Sequence, residues 1–145
     1  MYTKGQIEGI LLTIANPEVI IFKSKASSSG YSFRLRVLFR ATDINFLQAL
    51  QRTLYQYMIK SNLKDMENNQ RKLPVLVIGN RASLRRLYSL IPENVPKLHN
   101  WELFNRILTA MEEEMHLDED GIIEMKEWYD DNKKRKTNNI SGQLR

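Results

Sequence analysis

The sequence holds no cysteine. That excludes a disulfide framework and any thiolate metal site, and it fits a reducing compartment. No apolar run is long enough to cross a bilayer, so a membrane-spanning helix is not expected. The opening residues, Met1 to Gln6, lack the apolar core and small-residue cleavage site of a secretory signal. An intracellular setting is the expectation: cytoplasm, nucleoid or organelle. Proline stands at only four positions. Two of them, Pro17 and Pro92, fall where helical patterns stop.

What remains is ordinary for a water-soluble globular chain. Hydrophobic residues make up 42% of the 145 positions and charged residues 27%, enough apolar material for one domain with a proper core. The formal charge is +5. An excess of cations favours polyanion partners, because neutralising phosphates releases condensed counterions. The placement of those cations carries more information than their sum.

Thr3 and Gln6 have the spacing of a capping box. Ile7, Ile10, Leu11 and Ile14 follow at the spacing of one helical face. Val19 to Lys25 reads as a strand, and Ser27-Ser28-Ser29-Gly30 as a turn. Tyr31 to Arg40 is the clearest strand. Phe33, Leu35, Val37 and Phe39 alternate with Ser32, Arg34, Arg36 and Arg40, and Leu38 alone breaks the polar face. Asp43 caps a helix whose apolar stripe reads Phe46, Leu47, Leu50, Leu54, Tyr57 and Met58. Shorter strands are expected near Asn62–Glu67 and Leu73–Ile78. Asn80 caps a helix ended by Pro92, and Asn100 opens another with Phe104, Ile107, Leu108 and Met111 on one side. A helix over Ile122–Asp131 leads into Lys133-Lys134-Arg135-Lys136. Residues 1–132 are expected to form the domain and 133–145 a flexible basic tail.

Helix, two strands, helix, two strands, then helices describes an α+β fold. Its sheet is antiparallel and four-stranded, with helices on one face. The other face is left for a ligand, and it bears arginines. No acid stands among Arg34, Arg36 and Arg40 on their strand, so that face is expected to be cationic. Asp65 and Glu67 on the third strand work against this unless they point away or meet bases. The commoner meaning of alternating charge on a strand is a solvated face.

This order resembles the LAGLIDADG homing endonucleases, in the small form with one motif per chain, over roughly Ile7 to Asn139. Ile7-Glu8-Gly9-Ile10-Leu11-Leu12-Thr13-Ile14-Ala15 falls at the namesake motif, with Gly9 keeping the family glycine. Lys97-Leu98-His99 before the Asn100 helix is similar to the family's lysine-rich entry to its later helices. Glu124, Trp128, Asp131 and the Lys133–Lys136 run are similar to its closing helix and basic tail. The resemblance implies an αββαββα saddle that binds double-stranded DNA. It implies a homodimer whose motif helices meet through Gly9, Leu12 and Thr13. Glu8 stands where the family prefers alanine. The implied DNA-contacting residues are Lys23, Lys25, Arg34, Arg36, Arg40, His99, Lys133, Lys134, Arg135 and Lys136.

The resemblance also marks a departure. The family holds divalent metal with an acid at the base of each motif helix, and here Ile14 and Leu12 stand at the two candidate positions. Neither can bind a cation. Glu8 and Glu18 lie about a turn away, roughly 5 Å, too far for a metal site built on short ligand distances. No catalytic residue, metal ligand or cofactor is therefore assigned. The expected function is sequence-selective DNA binding without cleavage, an activity that would suit a regulator. A Mg²⁺-dependent endonuclease, an RNA-binding intron maturase and a protein-interaction module are the alternatives. One further motif competes. His116 to Glu127 has acids, a glycine and a closing Glu at EF-hand spacing, but its first ligand is a nitrogen donor and it has no partner loop. Asp118 and Asp120 read better as acids at the start of the last helix.

Overall fold

The computed structural model describes residues 1–25, 30–96 and 99–143, with side chains as far as Arg135. Ser27, Ser28, Ser29, Lys97, Leu98 and the side chain of Lys136 lie outside the described residues. The element order is α1 (Lys4–Thr13), β1 (Asn16–Lys23), β2 (Tyr31–Arg40), α2 (Ile44–Gln56), β3 (Asn62–Lys64), β4 (Val75–Ile78), α3 (Arg81–Ser89), α4 (Trp101–Glu112) and α5 (Glu119–Gln143). A short 3-10 turn, Met115–Leu117, precedes α5. The four strands form one antiparallel sheet in the order β1-β2-β4-β3, as the α+β reading expects.

Helix starts follow the local chemistry. Thr3 and Gln6 exchange the two bonds of a capping box, at 2.9 and 3.2 Å. Asp43 accepts from the Asn45 amide at 2.9 Å, and Asn80 from the Ser83 amide at 3.0 Å. Each cap satisfies a first-turn N–H that the helix itself cannot. Pro17 lies inside β1 rather than before it. β1 is an edge strand, where a missing N–H leaves no ladder bond unmade.

The chain divides into two compact units, Met1–Glu18 with Leu35–Trp101, and Val19–Arg34 with Glu102–Arg145. In the first, Val37 pairs with Ile78 and Phe39 with Leu76. These four share a sheet face and are buried, and α2 lies against β3 and β4 with Leu47, Leu50 and Leu54 fully covered. Leu84 and Leu87 of α3 and Ile7 and Leu11 of α1 complete that core. In the second unit, Phe104, Ile107, Leu108 and Met111 of α4 are buried, as are Ile122 and Met125 of α5. Gly121 sits where α5 meets the 3-10 turn, and a Cβ there would run into the Met115 carbonyl.

Several boundaries differ from expectation for physical reasons. Met58 does not join the α2 stripe. The helix closes in a Schellman turn, with Met58 N–H on the Tyr55 carbonyl at 3.0 Å and Ile59 N–H on the Leu54 carbonyl at 3.1 Å. Met58 takes the left-handed position at φ 61°, which exposes its side chain and sends buried Ile59 inward instead. Strands β3 and β4 are shorter than read, because Glu67 and Asn68 already belong to the polar turn back to Leu73 and Arg71. Ile10 is only half-buried and Ile14 is exposed, so α1 keeps two of its four expected core residues. The last helix does not stop at Asp131. It takes in the basic run and reaches Gln143, for no proline interrupts it and straight-chain residues carry it on. Helix from Glu119 onward also means that the acids of the EF-hand-like stretch do not wrap around a common centre.

Candidate nucleic-acid interface

β2 presents Arg34, Arg36 and Arg40 on the face opposite its buried Leu35, Val37 and Phe39. The register sets Arg40 beside Val75, and Lys64 beside Val75 from the other side. Leu38 faces the same way beside Val77, and both Leu38 and Val75 are buried. This face therefore carries an apolar floor with charged groups around it.

The expectation of cations without acidic partners is corrected here. Glu18, on the edge strand β1, accepts from Arg36 Nε at 2.6 Å and lies 3.7 Å from Arg40 Nη2. Glu67, beyond β3, takes Arg40 in a two-pronged pair at 2.7 and 2.9 Å. Arg71 closes the cluster on Glu67 at 3.2 Å and also donates to the Pro74 carbonyl at 3.0 Å. Three guanidiniums face two carboxylates, so the cluster keeps an excess of one positive charge. The hydrogen bond from Arg40, then its charge and that of Arg71, hold the Glu67 carboxyl below the usual range against an opposing burial effect. The bond to Glu67 raises Arg40 in turn. Such pairs fix two long side chains in one geometry. They also mean that phosphate must compete with carboxylate at Arg36 and Arg40.

The remaining candidates divide between the two units. Arg34 is exposed and pairs with no described residue, as do Lys23 at the end of β1 and Lys25 just after it. Lys133, Lys134 and Arg135 lie exposed along α5. These six belong to the second unit, and Arg36, Arg40 and exposed His99 to the first. Of all the sequence candidates, the fold brings Arg36 and Arg40 to one shared carboxylate. Sequence reasoning missed that carboxylate, Glu18, and Arg71. It also missed Arg106, which lies 4.0 Å over the ring of Trp128 beside an open groove of about 410 Å³ between α4 and α5. An acid on the strand next to an arginine strand is the signal that was available for Glu18.

The three α1 candidates stand together on the outer side of that helix. Gly9 and Thr13 are exposed and Leu12 is half-buried. A Cβ at Gly5 or at Gly9 would touch nothing within 4 Å. Thr13 donates its hydroxyl to the Gly9 carbonyl at 2.6 Å.

The resemblance implies metal ligands at the base of α1, and the side chains described there do not suit a divalent cation. Leu12, Ile14 and Ala15 are apolar, the Thr13 hydroxyl is engaged, and the Glu18 carboxylate is held by Arg36. A hard cation needs several free oxygen ligands at one point. Among the described residues, no group of three or more His, Cys, Asp or Glu is placed to hold a metal ion. Nor does any described helix have the length and apolarity to cross a membrane.

No protein-family model and no curated protein matches the sequence. Solved structures do. The homing endonuclease I-TnaI superposes with a TM-score of 0.69 at 20% identity, over 88% of this chain and 85% of that one. The archaeal intron-encoded homing endonuclease I-Vdi141I, complexed with DNA, gives 0.76 at 17% identity, over 90% and 82%. The LAGLIDADG meganuclease I-CpaMI, bound to uncleaved DNA, gives 0.70 at 14% identity, over 86% of this chain but 42% of its own. With its helix-strand-strand repeats and strand order, the chain has the fold of the LAGLIDADG homing endonucleases.

Proposed function

We propose that this protein binds double-stranded DNA sequence-selectively, as a homodimer, through the arginine-bearing face of its sheet, and does not cut it. The observation that carries the reading is β2. A strand with a buried face and a second face of guanidiniums stands in a fold whose solved examples include DNA complexes. Exposed Arg34, Lys23 and Lys25 are the direct contacts, with Lys133 to Lys136 meeting phosphates and His99 at the margin. Arginine donates bidentately to guanine, and a carboxylate such as Glu18 or Glu67 accepts from cytosine. A face holding both signs gives up some affinity for phosphate as such and gains discrimination between bases. A DNA target places the protein inside the cell, where a non-cutting binder can act as a regulator.

Two observations support the dimer. The chain covers most of I-TnaI but less than half of I-CpaMI, as one half of a two-half protein would. The outer side of α1, with Gly5, Gly9 and Thr13, lets another backbone approach closely. The absence of cleavage follows from the donors at the base of α1, and no cofactor is then needed.

Incubating the protein with Mg²⁺ and a library of duplexes tests both halves. Retention of selected duplexes without strand breaks is expected, with affinity that falls steeply with salt. Reproducible double-strand breaks reject the non-cutting reading in favour of the endonuclease. Structured RNA displacing duplex DNA at equal salt favours the maturase reading instead.

A further inference from the structure

Charge is also segregated on the helical side of the first unit. Of the 17 acids in the sequence, none falls in residues 44–64 or 72–92, which carry seven lysines and arginines. Five of these, Arg52, Lys60, Arg81, Arg85 and Arg86, stand on α2, on α3 or on the segment that joins α2 to β3. Exposed Arg52 and Tyr55 lie one turn apart on α2, with Tyr55 72% exposed. The Tyr55 carbonyl accepts from Met58 N–H, and the Met58 carbonyl accepts from Arg86 Nη1 at 3.0 Å. The Lys60 amide donates to Ser83 Oγ at 2.9 Å, one turn before Arg86 on α3. Arg52, Tyr55, Met58, Lys60 and Arg86 are all exposed, and these bonds bring their segments of α2 and α3 close together.

Met58 adds a second observation. It occupies the left-handed position of a helix end, where glycine is the favoured residue, yet leaves a large apolar side chain 67% exposed. A non-glycine residue there costs about 1 kcal/mol. Backbone strain of this kind concentrates at functional surfaces.

We propose that this α2–α3 surface is a second nucleic-acid site, separate from the sheet face, and that its ligand is single-stranded. Arg52, Lys60 and Arg86 track the phosphates. Tyr55 and Met58 offer apolar surface to an unpaired base, which stacks on a projecting ring in a way that a base inside a duplex cannot. The site stands whether or not the sheet face binds duplex DNA.

Fluorescein-labelled 20-nucleotide oligo(dT) and oligo(rU), titrated with the full chain at several salt concentrations, test the proposal. Expected is binding that Tyr55→Ala weakens about tenfold, the loss of one stacked base, and that Tyr55→Phe preserves. Arg52→Ala with Lys60→Ala should lower the salt slope by about 1.4, for two phosphate contacts on a single strand. Lys126→Ala, which removes a cation of α5 already paired with Asp130 at 2.9 Å, should leave oligonucleotide binding unchanged. A preference for oligo(rU) or for oligo(dT) identifies the source as RNA or single-stranded DNA, and either satisfies the proposal. Absence of binding overturns it, as does equal binding by Tyr55→Ala. So does full competition by duplex DNA or by polyglutamate, which would mark an indifferent anion patch. Failure of duplex binding alone sinks the sheet-face reading and leaves this one standing.

Discussion

Glu67 shows how much one carboxylate organises. It receives Arg40 on two prongs and Arg71 on a third bond, and its own side chain is mostly covered. Its carboxyl is held below the usual range by Arg40 first. A carboxyl depressed in the fold adds stability above its unfolded pKa and loses it as pH falls through the folded value. The Glu67→Gln variant should therefore be less stable than wild type near neutrality by about 1 kcal/mol, the scale of a partly exposed pair. The gap should close as the pH falls from the ordinary carboxylate range through the lower value that Glu67 has in the fold. Urea titrations across that range check it, and a gap that stays constant would remove Glu67 as the titrating group.

Met58 gives a prediction of opposite sign. Replacing a left-handed residue with glycine removes the steric penalty but adds chain entropy to the unfolded state. The net expectation for Met58→Gly is a gain of about 0.5 kcal/mol, read as a higher urea midpoint with an unchanged slope. A loss of stability would mean that the exposed side chain packs against something in solution.

At the scale of elements, legibility followed the range of the interaction. β2 was readable to both ends, because alternation is a property of the strand itself. The starts of α1, α2 and α3 were readable from Thr3, Asp43 and Asn80, since a cap bonds to amides two or three residues away. Glu18 was missed because the first strand was read from Val19, one residue past it, whereas β1 begins at Asn16 and sets Glu18 beside Arg36. The Schellman turn at Met58 was hidden by the absence of the glycine that usually announces it. Lys133 to Lys136 read as a tail because charge runs are usually solvated, yet helix propensity carries α5 through them. Gly121 was noticed in the sequence only as the glycine of an EF-hand-like stretch, and the fold gives it another role. It is needed for the close approach of α5 to the carbonyl of Met115. Gly121→Ala should cost about 1–3 kcal/mol, the range for overpacking. Thermal unfolding should show it, and a neutral result would mean that the 3-10 turn yields easily. On α1, Thr13→Lys should turn a dimer into a monomer in sedimentation without loss of helix content, if the outer side of that helix joins two copies.

For the whole molecule, the proposal of duplex recognition rests on a net positive charge, a sheet face bearing arginines and the LAGLIDADG fold. Two copies related by a two-fold axis would read a pseudo-palindrome. Substitutions at the two kinds of cation should then separate. Arg34→Ala should weaken binding and relax base preference at one position in each half-site, while trimming Lys133 to Lys136 should weaken all sequences alike. Selection of bound duplexes from a random pool is the measurement that reaches furthest. Enrichment of a sequence with two-fold symmetry, altered at matching positions in both halves by Arg34→Ala, is the predicted result. A pool that stays random, or a selected sequence untouched by that substitution, would contradict duplex recognition by the sheet.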